Sequence, residues 1–109
     1  MVDSFYIALQ DLFFNAKIVG TAKHTGAEIV AADSYNDLIE KIDDKKPDLV
    51  IVDLNGFMTP AHVSAIKSKG VHVVGYLSHI QTDLKNRFKG TCDIMTNFEL
   101  SEKLPQLLA

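Results

Sequence analysis

Apolar residues along this chain fall into two kinds of run, and the two kinds take turns. Leu49-Val50-Ile51-Val52 is apolar at consecutive positions, entered through Pro47-Asp48 and closed by Asp53. Consecutive apolar residues suit a strand covered on both faces, the habit of a central strand in a parallel sheet. Ser4 to Leu9 has the same character, and so has Val71 to Leu77, which Gly75 interrupts. Glu28 to Ala32 and Asp93 to Met95 predict two shorter strands. Between these runs the spacing becomes helical. Tyr35, Leu38, Ile39 and Ile42 recur at i, i+3, i+4 and i+7, the clearest amphipathic signal in the chain. Leu12, Ala16 and Val19, with Phe13 beside them, predict a helix after the first strand. Val63 and Ile66 give a third helix its buried side, and Ile80, Leu84 and Phe88 mark a short fourth. Leu100, Leu104, Leu107 and Leu108 mark a fifth.

The residues between the runs punctuate them in the same sense. Gly26 stops the first helix, whose last turns Gly20 weakens. Ser34 can cap the second helix through its hydroxyl, and Asp37 in the first turn is favoured by the helix dipole. Asp43-Asp44-Lys45-Lys46 is a solvated exit, and Pro47 forbids continuation. Asn55-Gly56-Phe57-Met58 form a loop before the third helix, where Thr59 caps and Pro60 takes the first helical position. Gly70 and Gly90 close the third and fourth helices. Pro105 is awkward inside a helix, so the last one is expected to begin near Ser101, with Pro105 in or just past its first turn.

Five strands alternating with five helices call for a doubly wound α/β sandwich: a parallel sheet, right-handed crossovers and helices on both faces. The expected strand order is 2-1-3-4-5. That order makes strands 1 and 3 neighbours, so Gln10-Asp11 and Asp53 meet at one crevice, at the carboxyl ends where ligands gather in such sheets. An acid at the end of a buried strand either caps the next loop or serves a ligand, and position alone leaves both open. The convergence with Asp11 favours the ligand.

Composition narrows the field. A chain of 109 residues is expected to be one domain, 1–109, large enough for a real core. The net charge is −3 and the 11 basic residues are scattered, with Lys45-Lys46 the only adjacent pair, which argues against nucleic acid as a partner. No apolar stretch reaches membrane-spanning length and no charged-then-apolar leader opens the chain, so the expectation is a cytoplasmic protein without membrane contact. One cysteine, Cys92, leaves neither a disulfide nor a cysteine metal cage.

Two carboxylates, Asp11 and Asp53, with the backbone carbonyl of Asn55, suit a hard, oxygen-seeking ion such as Mg2+. With a phosphate donor present, Asp53 could attack phosphorus. That chemistry also wants a hydroxyl and a lysine to hold the phosphoryl oxygens. Ser78, after strand 4, is placed for the hydroxyl, but strand 5 ends in Thr96-Asn97 without a lysine.

At this point the sequence resembles a response-regulator receiver (CheY-like) domain nearly end to end. Pro47 to Leu54 is similar to the family's phosphoacceptor strand, and the resemblance implies that Asp53 stands at the acceptor position. Gln10-Asp11 falls where the family has an acidic pair, Ser78 on its Ser/Thr after strand 4, Asn97 where it has lysine and Ile94 where it has an aromatic switch residue. The departures are Gln10, Asn97 with no proline after it, Ile94, and the loop Gly56-Phe57-Met58-Thr59 ahead of Pro60. Losing one metal carboxylate weakens Mg2+ binding. Losing the lysine removes a phosphoryl contact and the tether to loop movement. The resemblance thus implies a degenerate receiver, or pseudo-receiver, acting through protein–protein contacts. Its partner would be a histidine kinase or downstream signalling protein, or a second copy through the strand 4–helix 4–strand 5 face. A phosphorylatable divergent regulator is the alternative.

Other residues have plainer explanations. His24, His62, His72 and His79 are dispersed without metal-ligand spacing. Cys92 reads as a small hydrophobe. Phe57 and Met58 serve either as an exposed docking patch or as a lid folded over the strand end. A flavodoxin-like cofactor binder would need a phosphate loop after strand 1, but Gln10-Asp11-Leu12-Phe13-Phe14 is acidic and bulky. A cobalamin-type histidine setting is missing there too, and no glycine-rich nucleotide motif occurs.

Overall fold

The strand that the rest of the sheet leans on is the third. In the computed structural model, residues 4–8, 20, 28–55, 58–77 and 82–107 are described, with the backbone alone for residues 4–8, 29 and 97. They form strands β1 (Ser4–Ala8), β2 (Glu28–Ala31), β3 (Leu49–Asp53), β4 (His72–Leu77) and β5 (Asp93–Thr96). The helices are α1 (Tyr35–Asp44), α2 (Pro60–Ser68), α3 (Thr82–Phe88) and α4 (Asn97–Leu107), the second to fifth of those expected. The first expected helix lies outside the described residues apart from Gly20, which is helical. All pairings are parallel, as the alternation of elements predicts, and the order is the expected β2-β1-β3-β4-β5.

Leu49 to Val52 are each at most 1% exposed, so β3 is covered on both faces. Alternate residues pack towards opposite layers, and each such side chain contributes roughly 1.5–3 kcal/mol on burial. One shared core joins Val50 and Val52 to Leu38 and Ile42 of α1, Val63 and Ile66 of α2, and Phe88 of α3. The burial of Leu38 and Ile42 confirms the face read from their spacing.

The caps also follow the sequence. Ser34 Oγ accepts from the Asp37 N–H at 3.0 Å. Asp37 in turn accepts from Lys41 Nζ at 2.6 Å and from the Asp33 N–H at 3.2 Å, and its carboxyl is held below the usual range, by Lys41 first. Thr59 caps α2 with Pro60 in the first turn, and the box is closed by His62, whose Nδ1 accepts from the Thr59 N–H at 3.3 Å. Gly70 ends α2 at φ 85°, a left-handed backbone that favours glycine.

Helix α4 departs from expectation. It starts at Asn97, not near Ser101, and Pro105 lies inside it. Thr96 and Glu99 cap the helix early, and Leu100 and Leu104, at most 1% exposed, anchor it. Pro105 lies in the last turn, where its ring denies the Ser101 carbonyl an N–H partner, and the helix continues only to Leu107 beyond it.

Gly75, in the middle of β4, is required by close approach. A Cβ there would meet the Leu54 methyls at 2.7 and 2.9 Å and Cys92 Sγ at 2.9 Å. Gly75→Ala is therefore expected to lower stability by about 1–3 kcal/mol through overpacking. Urea unfolding checks this. Because Cys92→Ala removes one of the clashing atoms, the double variant should lose less than the sum of the two single losses, and a full sum would contradict the contact.

Candidate functional site

The sheet register brings the carboxyl ends of three strands side by side. Val52 of β3 lies opposite Ala8 of β1, and Asp53 opposite Tyr76 of β4. Asp53 is 6% exposed and is the charged residue buried with the core among the described residues. Its Oδ1 accepts from the Asn55 N–H at 2.8 Å, which curls the chain as it leaves the strand. The Leu54 N–H donates to the Tyr76 carbonyl at 3.0 Å, so the chain stays tied to β4 for one residue beyond β3. Asp53 and Asn55 are thus placed at the end of the central strand. Gln10, Asp11, Ser78 and His79 lie outside the described residues, although β1 and β4 lead towards them.

The donor types bear on Mg2+, which receiver-type sites imply. The Asp53 carboxylate and the Asn55 carbonyl are hard oxygen donors of the kind this ion takes, with Asp11 the further carboxylate. Among the described residues, no three His, Cys, Asp or Glu side chains group to hold a metal.

β5 runs directly into α4 through a reciprocal box that the Thr-x-x-Glu spacing at 96–99 encodes. The Thr96 N–H donates to Glu99 Oε1 at 3.1 Å, the Thr96 hydroxyl reaches the same oxygen at 3.2 Å, and the Glu99 N–H donates to Thr96 Oγ1 at 3.2 Å. These bonds, the Thr96 N–H first, hold the Glu99 carboxyl below its ordinary value. Asn97 opens the helix and so stands in its first turn, with no loop between strand and helix. Ile94 is half-buried against the core and lines, with Leu77 and Lys85, a cavity of about 110 Å³. Phe98, beside it in sequence, is 68% exposed.

A larger cleft of about 590 Å³ opens between the β3–α2 connection and α3. Met58, 5% exposed, belongs to its floor and to the core, so of the two roles considered for that loop Met58 takes the inward one, while Phe57 lies outside the described residues. No pattern in the sequence signals this cleft, because its walls come from segments almost thirty residues apart. Among the described residues, the two histidines have structural partners, while His24, like His79, lies outside them. His62 stacks on Tyr35 with ring centroids 3.9 Å apart, and His72 Nε2 meets Asp93 Oδ2 at 2.7 Å. Cys92 is half-buried, and burial pushes its thiol up, away from the thiolate a nucleophile needs.

No family model matches the chain, and no curated protein matches it in sequence. Solved structures do match. A response regulator from Thermotoga maritima superposes with a TM-score of 0.79 at 14% identity, covering 99% of this chain and 98% of that one. The chemotaxis response regulator CheY4 of Vibrio cholerae gives 0.76 at 15% identity, covering 98% and 99%. The signal receiver domain of the response regulator NarL from Mycobacterium tuberculosis gives 0.73 at 13%, covering 94% and 90%. The chain therefore has the fold of response-regulator receiver domains.

The β5–α4 junction generates a pH prediction. Glu99 is more acidic in the folded chain than in the unfolded one, so its contribution is present above the unfolded value and lost as pH falls through the folded one. Thr96→Val removes the hydroxyl, and it should move the Glu99 carboxyl back towards its ordinary value in an NMR titration. Loss of the cap should also cost about 1 kcal/mol in thermal unfolding. An unmoved Glu99 titration would contradict the box.

Proposed function

We propose that this chain, as one domain over 1–109, is a cytoplasmic receiver-like signalling domain that works by binding another protein and carries out no catalytic turnover. The observation that carries the reading is the β5–α4 junction. Where the family resemblance calls for a lysine, residues 93 to 99 contain none, and the capping box commits the Thr96 hydroxyl and backbone to Glu99. A phosphoryl group on Asp53 carries roughly two negative charges and needs donors aimed at its oxygens. This end of the sheet instead contributes a carboxylate. Gln10 in place of an acid reduces the metal site to Asp11, Asp53 and the Asn55 carbonyl, consistent with weak Mg2+ binding at most.

In this reading Asp53 keeps the acceptor position while Ser78 and Asn97 take the places of the phosphoryl contacts. Output passes through surface contacts with a histidine kinase, a downstream signalling protein or a second copy. The β4–α3–β5 face, with exposed Phe98 at its margin, is the surface that fits this best. The scattered basic residues do not favour nucleic acid, and no described helix is long and apolar enough to cross a membrane.

The second reading, a working divergent regulator, is favoured by the buried carboxylate of Asp53 at the end of the central strand. The two separate in one experiment. After incubation with Mg2+ and acetyl phosphate, intact-mass measurement should show no gain of about 80 Da, one phosphoryl group, beyond that of Asp53→Asn. A gain on most molecules that Asp53→Asn abolishes would establish the working regulator instead.

A further inference from the structure

Helix α2 closes its first turn with an unusual residue. In a reciprocal capping box the third helical residue is ordinarily Glu or Gln, whose side chain reaches back to the N–H of the cap. Here that residue is His62. Its own N–H donates to Thr59 Oγ1 at 3.2 Å, and its Nδ1 accepts from the Thr59 N–H at 3.3 Å. An imidazole nitrogen accepts only while it carries no proton, so the box is closed by the neutral ring with its proton on Nε2. The same ring lies on Tyr35, the first residue of α1, with centroids 3.9 Å apart and planes 13° from parallel. One side chain thus joins the starts of two helices.

Protonation of that ring meets opposition from its own helix. An imidazolium has an N–H at both nitrogens, so Nδ1 turns from acceptor to donor and confronts the Thr59 N–H. The added charge also falls in the first turn of α2, at the positive end of the helix dipole. From α1, the acids near its start give no compensation. Neither Asp33 nor Asp37 makes an ion pair with His62, and Asp37 is engaged by Lys41 at 2.6 Å. The face of Tyr35 does attract a cation. That attraction can keep the ring stacked, but it does not restore the bond to Thr59.

We propose that His62 is a proton-operated latch on the start of α2: the neutral ring closes the capping box and the imidazolium opens it. Gln at this position would hold the box without titrating, whereas histidine is the side chain whose charge ordinarily changes near neutral pH. Opening frees the Thr59 N–H and the first turn of α2, while Met58 just before them stays packed in the core. The latch is an input separate from Asp53, and it stands whether or not that residue accepts phosphate.

The test follows the ring nitrogens of His62 and the amide of Thr59 by 1H–15N spectra from about pH 8 to about pH 5, a range that spans the charge change of histidine. At the upper end Nδ1 should be the bare nitrogen and Nε2 the protonated one. As the ring takes its second proton, the Thr59 amide should move on the same curve. Its protection from solvent exchange, relative to the intrinsic rate, should fall about fivefold, the worth of one hydrogen bond. In His62→Gln that protection should be the same at both ends of the range, and in His62→Ala it should be lost at both. The spectra themselves report whether each variant is folded. A proton on Nδ1 at the upper end would overturn the latch. So would a Thr59 amide that ignores the titration of the ring, or a His62→Gln variant that responds to pH as the parent does.

Discussion

The structure depends on β3 being covered on both faces. A strand of consecutive aliphatic residues cannot lie at a half-solvated edge without exposing one whole side, so it takes the centre and requires a layer on each face. From that follow the parallel neighbours β1 and β4, the crossover helices, and the placing of Asp53 at the crevice where three strand ends meet. The acid is held there by Asn55 behind it and by the Leu54–Tyr76 bond that extends the β3–β4 seam. Leu54 also fills the space over Gly75, together with Cys92. The packing under the crevice and the geometry of the crevice are therefore one arrangement.

Much of this was legible in the sequence, for reasons that differ by element. The spacing of Leu38 and Ile42, the run from Leu49 to Val52, and the caps at Ser34 and Thr59 are local signals, and local physics decided them. The strand order is that of a common doubly wound sheet, and the structure has it. Pro105 misled because its ring and missing N–H were weighed against the helix as a whole. The lost bond to the Ser101 carbonyl falls near the helix end, while the burial of Leu100 and Leu104 and the Thr96–Glu99 box set the helix start at Asn97. The box itself was visible in the spacing of Thr96 and Glu99. The cleft was not, because it exists only once α3 stands across from Met58.

In the proposed reading the fold is kept while the chemistry at the strand ends is altered. Sheet topology fixes where Asp53 stands, and that depends on the many buried residues of the core. The phosphoryl contacts depend on a few residues at strand ends, which can change without disturbing that core. At β5 the strand passes into α4 with no intervening loop, and the reading proposed above takes that junction to be held whatever the charge on Asp53. A chain so built is suited to presenting a fixed surface.

The most direct test of that account uses Mg2+ with beryllofluoride, a phosphoryl mimic, read by 1H–15N spectra. The account predicts that the amides from Ile94 to Leu100 keep their positions, because the Thr96–Glu99 box holds the junction independently of Asp53. Concerted, saturable shifts of those amides that vanish in Asp53→Asn would contradict it, and would show a site still coupled to the β5–α4 end.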